Sequence, residues 1–260
     1  MLDFYRFRHF EESPQLLHAV TTKSRAFSYD FSLALHTGEA PKSIIDNRKH
    51  LARQIQTDKA LHFIVANQTH SDNIYCIKKE ETKGWECLSD AVEECDALIT
   101  DIPNVMLTIL TADCVPILLF DRKKRVVAAI HAGWRGTVSE ITRKTVEKMK
   151  SVYGSKAEDI YAGIAPSIGN CCYEVGEDVA KHFTSIPHAY QAKEDKYMLD
   201  LPTINKEQLL ACGLKEKHIE MSNICTACEV ERFFSYRKEQ GCSGRFMSMI
   251  GLKALNAPNT

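Results

Sequence analysis

The 260-residue sequence has no long hydrophobic run, little net charge and no internal repeat. No apolar stretch approaches the roughly 18 residues that a membrane-spanning helix needs, so we expect no membrane partner. The formal net charge is -1, without the basic excess of a general nucleic-acid binder, so we expect no nucleic-acid partner either. Because no low-complexity segment or linker divides the chain, the sequence predicts one domain over residues 1–260.

The first ten residues lack the apolar core of a secretory signal, since they contain two arginines, a histidine and an aspartate. We therefore expect a cytoplasmic protein. Ten cysteines are a high count, but a chain of this length in a reducing compartment does not need a disulfide framework. Most of these thiols should be buried as small hydrophobic groups, with one or two available for chemistry.

Two short apolar runs in the middle of the chain predict a β-hairpin. Val115–Phe120 and Val126–Ile130 are rich in branched side chains and flank a charged pentapeptide. Cys114 stands just before the first run and His131 just after the second. In an antiparallel hairpin the start of one strand lies beside the end of the other. We therefore expect this thiol and this imidazole at the same sheet edge.

The remaining pattern predicts a mixed α/β fold, because strands outnumber helices and do not alternate regularly with them. Helices are predicted over residues 42–57, 137–152, 177–183 and 202–212. Further strands are predicted over residues 62–66, 73–77, 95–100, 105–110, 160–165, 218–221 and 246–252.

Three residues at the ends of predicted strands form a candidate metal site: His70, Cys114 and His131. One cysteine and two histidines are a suitable ligand set for zinc with one open position. Zinc held in this way lowers the pKa of bound water to about 7, which provides hydroxide at neutral pH. The ligands are far apart in the sequence, so their spacing alone does not select this interpretation.

Two other interpretations of these residues remain open. Cys114 and His131 could act without metal as a nucleophile and its base, as in cysteine hydrolases. Alternatively, Cys114 is an ordinary core thiol and the histidines are surface or hydrogen-bonded groups.

The Cys225-x-x-Cys228 motif has no second pair of ligands at a typical spacing. Cys242 is the only later cysteine, and no histidine follows it. Cys171 and Cys172 form a vicinal pair, which is not typical of a structural zinc site. We therefore expect buried thiols near a pocket wall here, rather than a metal centre.

Several other polar and aromatic residues are candidates for substrate contacts. Arg135 is the best anion-binding candidate, because glycines flank its dipeptide and His131 is four residues away; an ordinary ion pair is the alternative. Asp96 and Asp113 are candidates to orient a ligating histidine or to carry a proton. Three further arginines lie in polar or glycine-bounded contexts: Arg48, Arg237 and Arg245. Three aromatic residues could stack on a flat ring, with core packing as the alternative: Phe233, Phe234 and Tyr236.

Six motifs taken together resemble the YfiH/laccase-domain family. They are Q-T-H-S-D, C-D-A-L-I-T, T-A-D-C-V-P-I-L-L, I-H-A-G-W-R-G-T, G-I-A-P-S-I-G-x-C-C-Y-E-V and F-F-S-Y-R. Members of this family were first called multicopper polyphenol oxidases and are now described as purine nucleoside phosphorylases. The resemblance covers nearly the whole chain, from the loop at Leu35–Gly38 to the Gly244-Arg245 dipeptide before the last strand.

The resemblance implies a single domain of layered mixed β-sheets flanked by helices, in the order α/β/β/α. It implies zinc ligation by His70, Cys114 and His131. The implied reactions are phosphorolysis of adenosine, inosine, guanosine and methylthioadenosine and hydrolytic deamination of adenosine, so that the partners would be purine nucleosides and phosphate. It also implies that Arg48 belongs to the site. Ser32 stands where the family often has asparagine, and its shorter side chain would contact substrate differently.

Within this interpretation, Asp113 or a neighbour would carry a proton, and Arg135 or Arg48 would anchor phosphate. Some bacterial relatives are linked to peptidoglycan precursor editing. A metal-free Cys/His hydrolase of an amide or peptide bond is one alternative function. A protein that binds its ligand without turnover is a second alternative, and a polyphenol oxidase-like copper protein is a third. A multicopper oxidase needs many histidines, usually in His-x-His pairs. This chain has ten histidines and no such pair. We do not expect a laccase mechanism, although one copper could bind in place of zinc.

Overall fold

The computed structural model describes residues 2–55, 57–193, 196–241 and 243–254; Cys242 and the last six residues lie outside these ranges. Within them the strands are β1 Phe4–Tyr5, β2 Leu16–Thr21, β3 His62–Val65, β4 Ile74–Cys76, β5 Ala97–Thr100, β6 Val105–Thr111, β7 Val115–Asp121, β8 Val126–Ala132, β9 Ile160–Ile164, β10 Glu174–Val175, β11 Tyr190–Lys193, β12 Lys196–Leu199, β13 Ile219–Met221 and β14 Phe246–Leu252. The α-helices are α1 Arg8–Glu11, α2 Pro41–Gln54, α3 Trp134–Val138, α4 Ile141–Tyr153, α5 Glu177–Ala180 and α6 Leu201–Ala211.

The strands form two large mixed sheets and one small sheet. The first large sheet has the order β1-β2-β14-β6-β3, and only its β3–β6 pair is parallel. The second has the order β13-β9-β7-β8-β5-β4, with parallel pairs at both edges and antiparallel pairs between them. The small antiparallel sheet has the order β10-β12-β11.

The two large sheets pack face to face, and their inner strands are buried on both sides. In β7, Leu118 and Phe120 belong to the core between the sheets, together with residues of the first sheet such as Leu107 and Ile250. The alternate residues of β7, including Ile117, pack on the helical side. A strand covered on both faces needs apolar side chains at every position, which explains the continuous hydrophobic run in the sequence.

Helices cover the outer faces of both large sheets. Ile141 and Met149 of α4 and Leu209 of α6 pack against the six-stranded sheet. Leu51 of α2 packs against the five-stranded sheet near Phe63. The layers therefore follow the order α/β/β/α, which confirms the predicted fold class. Among the described residues, none of the helices combines the length and apolar character needed to cross a membrane.

The structure corrects two predicted helices. Residues 137–152 do not form a continuous helix, because α3 ends at Val138 and Glu140 has a φ of 58°. In a continuous helix the Thr137 carbonyl would accept from the backbone of Ile141. Here it accepts from the backbone of Glu140 at 3.1 Å and from Nε2 of Gln208 at 2.8 Å. A contact from α6 thus stabilises the break. The predicted helix 177–183 is likewise α5 followed by a single 3-10 turn.

Candidate metal and active site

The predicted hairpin places Cys114 and His131 at the same edge of the six-stranded sheet. β7 and β8 pair antiparallel, with Val115 opposite Ala132 and Pro116 opposite His131. His70 reaches the same edge from the loop between β3 and β4, where its φ of 60° is left-handed. The structure therefore brings together the three residues that the sequence singled out.

The spacing of these side chains fits a small metal ion. One ligand atom from each of His70, Cys114 and His131 lies within 4.8 Å of the others. Sγ of Cys114 is 3.8 Å from Nε2 of His70. Ligand atoms around a tetrahedral zinc are about 3.3 to 3.8 Å apart, given bonds of about 2.0 to 2.3 Å. His131 is only 3% exposed, whereas His70 is exposed. The site therefore lies at the boundary of the core, and solvent reaches it from the side of His70.

Asp96 orients two of the three ligands. Its Oδ1 is 2.7 Å from Nδ1 of His131 and accepts a hydrogen bond from the backbone of His70 at 3.1 Å. Its Oδ2 accepts from the backbone of Thr69 at 3.1 Å and from the backbone and hydroxyl of Ser71, both at 2.7 Å. Because Nδ1 of His131 is engaged by Asp96, Nε2 is the atom left to bind a metal.

The charges of these groups support one another. Burial acts to raise the pKa of Asp96, but hydrogen bonds from His131 and Ser71 lower it to about 2. Burial likewise opposes ionisation of Cys114. The charge of His131 and hydrogen bonds with His131 and His70 outweigh burial, so the pKa of the thiol is lowered. Burial would lower the pKa of His131, whereas the Cys114 thiolate and Asp96 raise it. Without metal, the site therefore favours a thiolate beside an imidazolium.

Gly133 leaves the room that the two ligand side chains need. A Cβ at this position would lie 2.9 Å from Cδ2 of His70 and 3.2 Å from Sγ of Cys114. The φ of Gly133 is -72°, which any residue can adopt. The glycine is therefore required for close packing rather than for backbone conformation.

Asp113 does not have the exposure expected of a proton carrier. It is buried, and its two carboxylate oxygens accept from the Thr226 hydroxyl and from the backbone of Arg237, each at 2.7 Å. Its carbonyl accepts from the backbone of Ile168 at 2.9 Å. The geometry favours a positioning function for Asp113, which joins the turn carrying Cys114 to two other loops.

Arg48 and Ser32 are also interior residues, which revises the expectation that they contact substrate. The Arg48 side chain is 0% exposed and donates to the carbonyls of Leu33, Gly84 and Trp85 at 2.6 to 2.8 Å. The Ser32 hydroxyl is buried and accepts from the backbone of Arg245 at 3.2 Å. Arg48 therefore holds α2 to the neighbouring loops, and Ser32 positions the segment that carries Arg245.

Arg245 lines a cleft of about 640 Å³, together with residues of the 36–39 loop. Partial burial lowers the pKa of Arg245, while the negative charges of Cys114, Glu39 and Asp113 oppose this shift. The guanidinium is therefore within electrostatic reach of the Cys114 site. Arg245 was a weaker candidate than Arg135 in the sequence, because no predicted metal ligand is near it along the chain. Arg135 itself is exposed in α3, with its guanidinium carbon 4.3 Å from the centre of the Trp134 ring.

Of the three aromatic candidates, only Tyr236 is accessible. Phe233 and Phe234 are buried, whereas Tyr236 is 55% exposed. The guanidinium carbon of Arg245 is 5.8 Å from the centre of the Tyr236 ring. An aromatic face and a cation thus stand together beside the cleft.

With this fold and site, the chain belongs to the family described as multi-copper polyphenol oxidoreductase laccase, whose model matches residues 17–253. The chain is 33% identical to purine nucleoside phosphorylase YlmD of Bacillus subtilis (strain 168) over 253 residues, covering 94% of this chain and 91% of the relative. It is 34% identical to a purine nucleoside phosphorylase of Bacteroides thetaiotaomicron, with 90% of each chain covered.

Solved structures of similar proteins have the same fold. YlmD from Geobacillus stearothermophilus superposes with a TM-score of 0.88 at 31% identity, covering 95% of this chain and 94% of that one. The hypothetical protein YfiH from Bacillus licheniformis gives a TM-score of 0.87 at 36% identity, with 94% and 95% covered. These matches confirm the resemblance inferred from the sequence motifs.

Proposed function

We propose that this protein is a zinc-dependent purine nucleoside enzyme that catalyses phosphorolysis of adenosine, inosine, guanosine and methylthioadenosine and hydrolytic deamination of adenosine. The observation that carries the proposal is the convergence of His70, Cys114 and His131. Asp96 supports it through a hydrogen bond with Nδ1 of His131, which leaves Nε2 for the metal. Relatives named purine nucleoside phosphorylase support the choice of substrate class. We expect the reaction to take place in the cytoplasm, where Cys114 stays reduced.

The ligand set fits zinc, because one thiolate and two imidazoles leave a fourth position for a reactant. Zinc at such a site acts as a Lewis acid and makes water more acidic. Copper is the alternative metal, since imidazole and thiolate bind both ions. The residues around the ligands fix the orientation of the two imidazoles. Asp96 holds His131 in one tautomer, and the Asp96 bond to the His70 backbone fixes the loop that carries the second imidazole.

Substrate would lie in the cleft lined by Arg245. A cation beside an exposed aromatic ring suits a nucleoside with phosphate, because the base can stack on Tyr236 while a guanidinium binds the anion. Arg245 and Arg135 are therefore our candidates for the phosphate anchor. Arg48 is not, because its side chain is fully buried: Nε and Nη1 donate to backbone carbonyls, and Nη2, which has no partner among the described residues, is also shielded from solvent.

A second candidate function is a metal-free hydrolase of an amide or peptide bond. The lowered pKa of Cys114 beside the raised pKa of His131 favours it, because a thiolate–imidazolium pair is the reactive form of a cysteine nucleophile. This candidate requires activity that survives metal chelators and a covalent adduct on Cys114.

The deciding experiment incubates zinc-loaded, metal-analysed protein with adenosine, with and without phosphate, and separates the products by chromatography. We expect inosine without phosphate, and adenine only when phosphate is present. Both products should disappear in a Cys114→Ala variant and persist in Cys87→Ala, which removes an exposed thiol elsewhere. Turnover that survives Cys114→Ala would refute the assignment, and absence of product from zinc-loaded protein would favour the cysteine hydrolase.

The phosphate anchor is tested on the same reaction. Arg245→Ala and Arg135→Ala should raise the KM for phosphate with little change in the KM for adenosine. If the double variant binds phosphate as well as the parent protein, neither arginine is the anchor. Exposed Arg53, at the end of α2, provides the matched control as Arg53→Ala.

A further inference from the structure

A second cluster of possible metal ligands lies outside the site described above. Its members, here called the four-cysteine cluster, are Cys171, Cys172, Cys225 and Cys228, and their sulfur atoms all lie within 4.8 Å of one another. Sγ of Cys228 is 3.6 Å from Sγ of Cys171 and 3.5 Å from Sγ of Cys172. The sequence predicted buried thiols near a pocket wall. Cys171 and Cys225 do line a cavity of about 200 Å³, but Cys171 and Cys228 are exposed and the other two are only partly buried. The vicinal pair is the second pair that Cys225-x-x-Cys228 needs.

The fold brings the two pairs together through neighbouring parallel strands. β9 and β13 pair side by side, and the loops that follow them continue the pairing through a bridge between Ser167 and Cys225. The backbone of Ser167 donates to the Ile224 carbonyl at 3.2 Å and that of Thr226 donates back to Ser167 at 3.0 Å. Both pairs of cysteines are therefore held on adjoining, hydrogen-bonded segments.

The sulfur spacing fits one tetrahedral ion. With zinc–sulfur bonds of about 2.3 Å, the sulfur atoms of a tetrahedral site are about 3.8 Å apart. The backbone of Gly169 donates to Sγ of Cys225 at 3.3 Å, which is the kind of outer contact that orients a metal ligand. A Cβ on Gly169 would meet Cys225 and Cys171 at 3.4 to 3.5 Å, so the loop passes close to the cluster.

We propose that the four-cysteine cluster binds one zinc ion as a closed, structural site. Four thiolates occupy all four positions of tetrahedral zinc, which leaves none for water or substrate. Four thiolates packed this closely would repel one another, and a divalent cation offsets half of their charge. The ligand chemistry is soft and all-sulfur, which distinguishes this site from the His70, Cys114 and His131 site.

Zinc at this position would stabilise loops that support the candidate active site. Ile168 and Thr226 lie within a few residues of the cluster, and both donate hydrogen bonds to Asp113, the neighbour of Cys114. Metal in the four-cysteine cluster would therefore hold these loops against the turn that carries Cys114. Its contribution is to folding free energy, because the ligands meet only in the folded chain.

The test isolates the cluster by removing the other site. A protein carrying His70→Ala and Cys114→Ser, reduced and handled without oxygen, is titrated with Co²⁺ and followed by its absorption spectrum. We expect one equivalent to bind, with the sulfur-to-metal charge-transfer and ligand-field bands of a tetrahedral tetrathiolate. Adding Cys228→Ser should remove this spectrum, while adding Cys87→Ser, at an exposed cysteine outside the cluster, should preserve it.

Because Cys228→Ser could fail to fold, the ligation is also measured with an intact cluster. X-ray absorption of the His70→Ala, Cys114→Ser protein loaded with one equivalent of Zn²⁺ should show four sulfur neighbours at about 2.3 Å. Fewer than four sulfur ligands, failure to retain zinc, or disulfides that persist by mass after reduction would each overturn the proposal. The Co²⁺ titration and the X-ray absorption experiment measure metal binding and ligation, and neither depends on enzymatic activity. Failure of the proposed nucleoside reaction therefore cannot be mistaken for failure of this site.

Discussion

Nδ1 of His131 lies 2.7 Å from Oδ1 of Asp96, and both side chains are buried. The same carboxylate also accepts from the backbone of His70. One acidic residue thus orients two candidate metal ligands that arrive from different loops. Without Asp96, the exposed His70 would lose the contact that fixes its loop, and His131 would lose the acceptor that selects its tautomer.

Asp96→Asn should weaken zinc binding by about 10- to 100-fold, as is typical when the outer partner of a metal-bound histidine is changed. An amide is nearly isosteric with the carboxylate but removes the negative charge that makes the ligating imidazole of His131 more basic. The measurement is zinc affinity by competition with a chelator. Asp101→Asn is the control, since Asp101 is an exposed aspartate at the other end of β5. Equal affinities in the two variants would show that Asp96 does not support the metal site.

Gly133→Ala should impair metal binding without unfolding the protein. The added methyl would meet His70 at 2.9 Å and Cys114 at 3.2 Å, so at least one ligand must move. We expect weaker zinc affinity with a nearly unchanged Tm. In Gly136→Ala the nearest atom is a methyl group of Ile141 at 3.3 Å, and no ligand side chain lies in the way. This variant should therefore bind zinc more tightly than Gly133→Ala. A Gly133→Ala protein with full affinity would contradict the close packing described here.

Arg48→Met should reduce stability rather than phosphate affinity. The change leaves three buried carbonyls without their donor, which should cost on the order of 3 kcal/mol in the free energy of unfolding. Urea unfolding measures this loss, and Arg53→Met at the exposed end of the same helix should show almost none. If folded Arg48→Met protein instead has normal stability and a raised KM for phosphate, Arg48 is a substrate residue after all.

Acid should destabilise the protein partly through His18. Burial, aided by the charge of Arg6, lowers the pKa of His18 to about 4, below the ordinary value of 6.5. Its Nε2 accepts a hydrogen bond from the backbone of Phe7 at 2.9 Å, which requires an unprotonated nitrogen. The unfolded state therefore binds the proton first. The stabilisation is complete above pH 6.5 and is lost as the pH falls toward 4, by on the order of 3 kcal/mol.

His18→Gln removes this titration while keeping a hydrogen-bond acceptor. The free energy of unfolding, measured by urea at several pH values, should fall less steeply from pH 6.5 to 4 in this variant than in the parent. His182→Gln, at an exposed histidine, should follow the parent curve. Parallel curves for His18→Gln and the parent would show that His18 does not contribute to acid unfolding.

Local patterns in the sequence were sufficient for most of the secondary structure and for part of the site. The hairpin of β7 and β8 was predictable because two branched apolar runs flank a charged turn, and its pairing carries Cys114 to His131. Helix α2 was predictable from its apolar spacing and from Pro41 in its first turn. These features depend on neighbours in the chain, so the sequence contains them directly.

Contacts between distant segments were decided only by the tertiary structure. Arg48 resembled an anion-binding residue in the sequence. In the structure it is buried and donates hydrogen bonds to three backbone carbonyls of two other loops. Cys171 and Cys228 belong to motifs that looked incomplete when taken separately, and they meet because β9 pairs with β13. A side chain's function in such places depends on which loops the sheets bring together, and strand order across a sheet is set by the packing of the whole core rather than by any local run of residues.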